Sequence, residues 1–94
     1  MSMHSNYQLA GRLDGTNAEQ YDLEISNLLS SAGESFSIDL SGLTYISSLG
    51  LRVFLKAAKA LKQQNKKLIL SKPNSDVLEI LLMSGFDQII EIER

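Results

Sequence analysis

Two adjacent serines, Ser47 and Ser48, carry the best-defined chemical possibility in this sequence. They stand between an alternating apolar stretch and a strongly patterned helical one. At such a junction a side-chain oxygen can accept from free backbone N–H groups, and added negative charge meets the positive end of the helix dipole. A serine there is either a helix cap, worth about 1 kcal/mol, or a phosphoacceptor. Phosphate on Ser48 would bring about two negative charges to a place where helix N–H groups accommodate them, so its effect would fall on a partner and not on the fold. Gly50, in the turn that follows, either leaves the backbone accessible or packs closely against a sheet.

Few other residues offer chemistry. His4 is the single histidine and lies in an expected frayed terminus, so a Ser-His-Asp relay or a histidine metal site has no member. Cysteine is absent, which removes thiolate nucleophiles, thiolate metal clusters and disulfides. No G-x-G-x-x-G or Walker-type phosphate loop occurs. Asp14 and Asp39 could converge at strand ends, but neither has a histidine or a third ligand to work with, and Asp14 reads as a turn residue. A receiver domain phosphorylated on aspartate would need an early acidic pair for Mg²⁺, which the first strand and its turn lack. The expectation is a protein that is not an enzyme and takes no cofactor or metal.

Ninety-four residues make one domain, able to bury roughly two-thirds of the surface its unfolded chain exposes. No apolar run is long enough to span a bilayer, and Met1 to Asn6 lack the basic and apolar regions of a signal peptide. The expected location is therefore cytoplasmic, without membrane insertion. The net charge of −2 hides an uneven distribution: Arg52, Lys56, Lys59, Lys62, Lys66, Lys67 and Lys72 lie in a segment with no acid between Asp39 and Asp76. That run reads as a solvated helix face and turn. With one arginine, and Phe54 as its one aromatic, in an acidic chain, it is not the footprint of a nucleic-acid binder.

The elements that position the serines follow from periodicity. Tyr7, Leu9 and Leu13 alternate with Gln8, Ala10 and Arg12 as a first strand, and Asp14-Gly15 turns the chain. Thr16 and Glu19 form a capping-box pattern ahead of a helix marked by Ala18, Tyr21, Ile25, Leu28, Leu29 and Ala32, with Gly33 placed to end it. Phe36, Ile38 and Leu40 alternate as a second strand from about Ser35 to Leu40. A turn at Ser41-Gly42 and a brief apolar stretch from Leu43 to Ile46 lead to the serines. Beyond them, Leu51, Phe54, Leu55, Ala58 and Leu61 predict an amphipathic helix, with Asn65 suited to the left-handed turn after it. Leu68, Ile69 and Leu70 read as a strand covered on both sides or near the sheet centre. Ser75 is placed to cap a helix from Asp76 to about Ser84, ended by Gly85, and Gln88 to Ile92 reads as a last strand. This alternation predicts a mostly parallel α/β domain.

Read through, Asp39-Leu-Ser-Gly-Leu-Thr-Tyr-Ile-Ser-Ser-Leu-Gly-Leu-Arg52 resembles the central motif of STAS domains, the domain shared by bacterial anti-sigma-factor antagonists and sulfate transporters. Gly11-Arg-Leu-Asp14 followed by Ala18 looks like that family's first turn and helix. Lys67 to Leu70 and Ser84 to Ile92 are similar to its closing elements. The resemblance covers nearly all of the chain from Tyr7, and its pieces are specific in combination, not singly. It implies one STAS-type domain over residues 7–94 behind a disordered tail of residues 1–6. The expected fold is a mostly parallel mixed sheet of about four strands with three main helices, the family's first strand missing. The sheet edge so uncovered is an expected site of homodimer formation.

The resemblance also implies a binding module. Stand-alone members bind an anti-sigma factor that is itself a GHKL-type serine kinase, phosphorylation of the serine opening the central helix ends that binding, and a PP2C-type phosphatase reverses it. That serine aligns with Ser48, with Ser47 the fallback. The expected partner-binding residues are Asp14, Ser47, Ser48, Leu49, Gly50, Arg52 and Lys56. Ser47 stands where an aspartate is common, which alters the charge beside the acceptor. Leu49 stands where a small residue is usual, which adds bulk where a kinase must approach. An alternative reading is an accessory STAS subunit of an ABC lipid-transport complex, with the same surface on the ATPase subunit and the serines as plain caps. A third is a small-ligand or nucleotide sensor.

Overall fold

The computed structural model describes residues 4–30 and 33–94. In chain order it has β1 (His4–Leu13), α1 (Ala18–Leu29), β2 (Ser35–Ile46), α2 (Ser48–Gln63), β3 (Lys67–Ser71), α3 (Ser75–Met83), one 3₁₀ turn (Phe86–Gln88) and β4 (Glu91–Glu93). The strands lie side by side in the order β1-β2-β3-β4, and every pairing is parallel. The expected mostly parallel mixed sheet is thus parallel throughout its described strands.

This order decides where the core sits. Each crossover steps to the next strand in the same direction, and right-handed crossovers that all step one way put their helices on one face of the sheet. Leu9, Leu13, Phe36, Ile38, Leu40, Leu68 and Leu70 point from the sheet into the same core as Ile25 and Leu29 of α1, Phe54 and Leu61 of α2, and Val77 and Leu81 of α3. The other face carries two rows that span all four strands in register, Asn6–Ser37–Ile69–Glu91 and Gln8–Asp39–Ser71–Glu93. These are polar apart from Ile69, which is 4% exposed yet stands outside the main core. Of the two readings of Leu68 to Leu70, the central position holds: the neighbouring strands enclose Ile69, and the Lys67–Glu91 ion pair (2.9 Å) lies alongside it.

Several boundaries differ from expectation. β1 begins at His4, so residues 4–6 of the expected tail pair with β2 through His4↔Ser35, Ser5↔Phe36 and Asn6↔Ser37, and residues 1–3 lie outside the described residues. The sequence over residues 4–6 is polar and shows no apolar alternation, whereas their pairing is made by the backbone. The capping box does not form: Asn17 occupies the cap position of α1 without a side-chain cap bond, and Thr16 is held by Asp14 instead. α1 ends at Leu29, ahead of Gly33, and Ala32 lies outside the described residues. The expected turn at Ser41-Gly42 is a bulge within one continuous strand, with Gln8↔Asp39 followed by Ala10↔Gly42. An extra residue on one strand bends it without ending it. The buried face of α2 is Gly50, Val53, Phe54, Ala57 and Leu61, with Leu51, Leu55 and Ala58 at its margin. Gly50 and Ala57 are small, which lets the helix lie close to the sheet.

At the C-terminal end, Asn74 and not Ser75 caps α3, its Oδ1 accepting from the Val77 N–H at 2.8 Å. The last strand is confined to Glu91–Glu93, because the chain first makes the 3₁₀ turn and buries Ile90. Asn65 and Gly85 have φ of 59° and 75°, the left-handed conformations expected after α2 and α3. Among the described residues no helix is long and apolar enough to cross a membrane.

Candidate partner-docking site

Beyond Asp39↔Ser71, β2 has lost its pairing with β3 and continues beside β1 alone, from Ala10↔Gly42 to Leu13↔Ile46. This two-stranded extension delivers the chain to the mouth of α2. There the Ser47 N–H donates to the Leu13 carbonyl at 2.9 Å, so the end of β1 fixes the start of the helix. Thr44 Oγ1 donates to the Gly11 carbonyl at 3.0 Å, and the Arg12 guanidinium lies 4.3 Å from the centre of the Tyr45 ring, bracing the same extension.

The two serines then divide their roles. Ser47 has an extended backbone (φ −96°, ψ 175°), and its Oγ accepts from the Gly50 N–H at 3.3 Å, which makes it the N-cap. Ser48 is the first helical residue, its side chain exposed and without a hydrogen bond among the described residues. Among the described residues no side chain hydrogen-bonds to its hydroxyl as a general base would. It does have free helix N–H groups and the positive end of the dipole.

The other expected site residues separate into exposed and engaged ones. Leu49 is 45% exposed, and Arg52, one helical turn beyond Ser48, is exposed on the same side. Gly50 is buried: a Cβ there would meet the Leu13 carbonyl oxygen at 2.7 Å and Ile46 Cγ1 at 2.8 Å. Of its two readings, the close packing against the sheet is the one present. Lys56 is exposed but tied to α1, its Nζ 2.9 Å from Asp22 Oδ2.

Asp14 is engaged within its own loop. Its Oδ1 accepts from Thr16 Oγ1 at 2.6 Å and from the Thr16 N–H at 2.9 Å, and its Oδ2 from Arg12 Nε at 3.2 Å. The Thr16 hydroxyl, followed by the Thr16 N–H and the Arg12 guanidinium, holds its carboxyl below the ordinary value. Asn17 completes the loop, accepting from the Asp14 N–H and donating to the Arg12 carbonyl. Asp14 thus shapes the turn that runs beside Leu49, where a Cβ on Gly15 would lie 3.0 Å from Leu49 Cδ1. Asp39 does not join it: its Oδ1 accepts from the Ser41 N–H at 2.8 Å, a bond that, with the Ser41 side chain and Lys72, holds its carboxyl low.

A shallow groove of about 250 Å³ runs between α1 and α2, lined by Ala18, Glu19, Asp22, Leu49, Arg52 and Val53, with Lys56 at its end. Leu23 of α1, 65% exposed, lines the adjoining hollow. Sequence reading passed over both Leu23 and Asp22. Leu23 falls outside the apolar spacing of α1, which was the signal that it faces away from the core. The Asp22–Lys56 contact joins residues 34 apart in the chain and has no local pattern.

This surface belongs to a chain with clear likenesses among known proteins. A family model for the STAS domain matches residues 4–94. A Bordetella bronchiseptica protein designated a candidate anti-sigma factor antagonist, BtrV, is 37% identical over 84 residues, spanning 89% of this chain and 72% of that protein. The crystal structure of a candidate anti-sigma factor antagonist from Thermotoga maritima superposes with a TM-score of 0.91 at 20% identity, over 100% of this chain and 81% of that one. The Bacillus cell fate determinant SpoIIAA in its phosphorylated form superposes with a TM-score of 0.74 at 20% identity, over 100% and 86% of the two chains. At those identities the two structural likenesses concern the fold.

Proposed function

The chain belongs to the STAS domain family, and from that premise we propose that it is a non-enzymatic, cytoplasmic partner-switching regulator that binds an anti-sigma factor and is released by phosphorylation of Ser48. One observation carries this reading: Ser47 takes the capping role while the Ser48 side chain, beside it, stays exposed and makes no hydrogen bond among the described residues. A modification of Ser48 therefore costs the fold no cap. Its charge is accommodated by the helix N-terminus, and it falls on whatever protein covers Leu49 and Arg52. The likeness to a relative designated a candidate anti-sigma factor antagonist supports the choice of partner.

In this reading Leu49 is the apolar anchor and Arg52 the charged flank of the docking face. The partner is an anti-sigma factor with GHKL-type serine kinase activity, and a PP2C-type phosphatase resets the switch. A phosphate on Ser48 would desolvate poorly against the partner and repel any acidic group it brings to Arg52.

Pull-down from the native lysate with wild type and Ser48→Asp, with intact mass on the recovered protein, tests the proposal. Wild type is expected to capture a kinase-class partner and to carry about 80 Da of added mass on a fraction of molecules, as phosphorylation requires. Ser48→Asp is expected to lose the partner with unchanged thermal stability. Equal capture by both forms would overturn the switch. A stable complex with a transport ATPase, indifferent to ATP and to Ser48→Asp, would replace it with the accessory-subunit reading.

A further inference from the structure

The far half of α2 borders a second hollow, of about 600 Å³, closed on its other sides by the start of β3 and the segment leading into β4. From Ser48 to Lys59 the helix rises by about 16 Å, so this groove is separate from the docking face. Its apolar lining comes from Leu55, Ala58, Leu68, Ile89 and Ile90, and Ile89 is 59% exposed although it is a large aliphatic residue.

Its charges are asymmetric. Lys59 and Lys62 stand one helical turn apart on the α2 wall. Neither ammonium has an ion-pair or hydrogen-bond partner among the described residues, whereas Lys56 and Lys67 are paired with Asp22 and Glu91. The opposite wall carries Asp87 and the already paired Glu91. An occupant must therefore be apolar along its length and anionic at one end. Lys66 and Lys67 also line the hollow, so its wall carries more cations than acids.

We propose that this groove binds a single-chain amphiphile with a carboxylate head, the head between Lys59 and Lys62 and the chain along Leu55, Leu68 and Ile90. The Lys59 and Lys62 ammoniums beside an apolar lining suit this occupant, and the hollow lies within the size range of small-molecule sites.

Calorimetric titration of the full chain with dodecanoate below its micellar concentration tests the proposal. Wild type is expected to bind one equivalent saturably. Lys59→Glu/Lys62→Glu and, independently, Ile89→Asp are each expected to weaken binding at least tenfold, and dodecanol is expected to bind at least tenfold more weakly than dodecanoate. All substituted positions are exposed, so unchanged melting is the expected control. Ser48→Asp is expected to bind dodecanoate as wild type does, which separates this site from the switch. Absence of saturable binding, or wild-type affinity in both groove variants, would overturn the proposal. So would attachment to phosphatidylglycerol vesicles without binding of monomeric dodecanoate, which would make the lysines a lipid-surface contact.

Discussion

The backbone N–H of Ser47 donates to the Leu13 carbonyl at 2.9 Å, and that same carbonyl oxygen lies 2.7 Å from where a side chain on Gly50 would begin. The end of β1 is thus both latch and wall for the mouth of α2. It sets where Ser48 emerges, and it makes the helix start dependent on a strand more than thirty residues earlier in the chain.

Gly50→Ala is expected to destabilise the domain by about 1–3 kcal/mol. The atom in the way is a backbone oxygen already committed to Ser47, with Leu13 Cγ and Ile46 Cγ1 at 2.8 Å on either side. Urea denaturation measures the loss. A change within about 0.5 kcal/mol would mean that the helix start can shift outward.

Ser47→Ala and Ser48→Ala should separate by role. The first removes the bond to the Gly50 N–H and is expected to cost about 1 kcal/mol. The second removes an exposed hydroxyl and is expected to stay within about 0.5 kcal/mol. Equal losses in paired melts would contradict the assignment of the cap to Ser47.

Asn74 joins two elements: its Oδ1 caps α3, and its Nδ2 donates to the Leu43 carbonyl at 3.0 Å. Asn74→Asp keeps the cap acceptor but turns a carboxylate towards that carbonyl, while Asn74→Ala loses both bonds. Both are expected to destabilise, the alanine variant by about 1–2 kcal/mol. An aspartate variant as stable as wild type in urea would show that the bond to Leu43 contributes nothing.

Leu49→Ala and Phe54→Ala contrast the two sides of α2. Leu49 is 45% exposed and Phe54 is fully buried. Phe54→Ala is expected to cost about 3–5 kcal/mol. Leu49→Ala should leave stability within about 0.5 kcal/mol while reducing partner capture in the pull-down. Undiminished capture would remove Leu49 from the docking face.

Acid should loosen the β1–α1 loop. The Asp14 carboxyl is held below its ordinary 3.8 by the Thr16 hydroxyl and N–H and by Arg12. A depressed folded-state value gives stability that is present above the ordinary value and lost as pH falls through the lowered one. Asp14→Asn is therefore expected to be less stable than wild type near neutrality. Its stability should also fall less steeply from roughly pH 4 downward. Parallel pH profiles in urea would refute the contribution.

Local pattern sufficed where short-range geometry sets the structure. The spacing that predicted α2, the left-handed turn at Asn65, the glycine after α3 and the alternation of Phe36, Ile38 and Leu40 each reflect short-range geometry, and each is present. Caps were harder to read. Thr16 and Ser75 were both one residue from the observed cap positions, because neighbouring polar residues compete for the same N–H groups. At Thr16 the competitor was the Asp14 carboxylate, which already held its hydroxyl.

The alternation of strands and helices and the two hydroxyls at a helix entrance are readable along the chain, since both depend on contacts within a few residues. That Ser47 caps while Ser48 makes no hydrogen bond among the described residues, that Gly50 is packing and not surface, and that Asp14 and Lys56 are tied to neighbours within the domain follow from the folded arrangement. Each of those outcomes depends on what a distant strand or helix places nearby, Leu13 beside Gly50 or Asp22 beside Lys56, and no local period encodes such a neighbour.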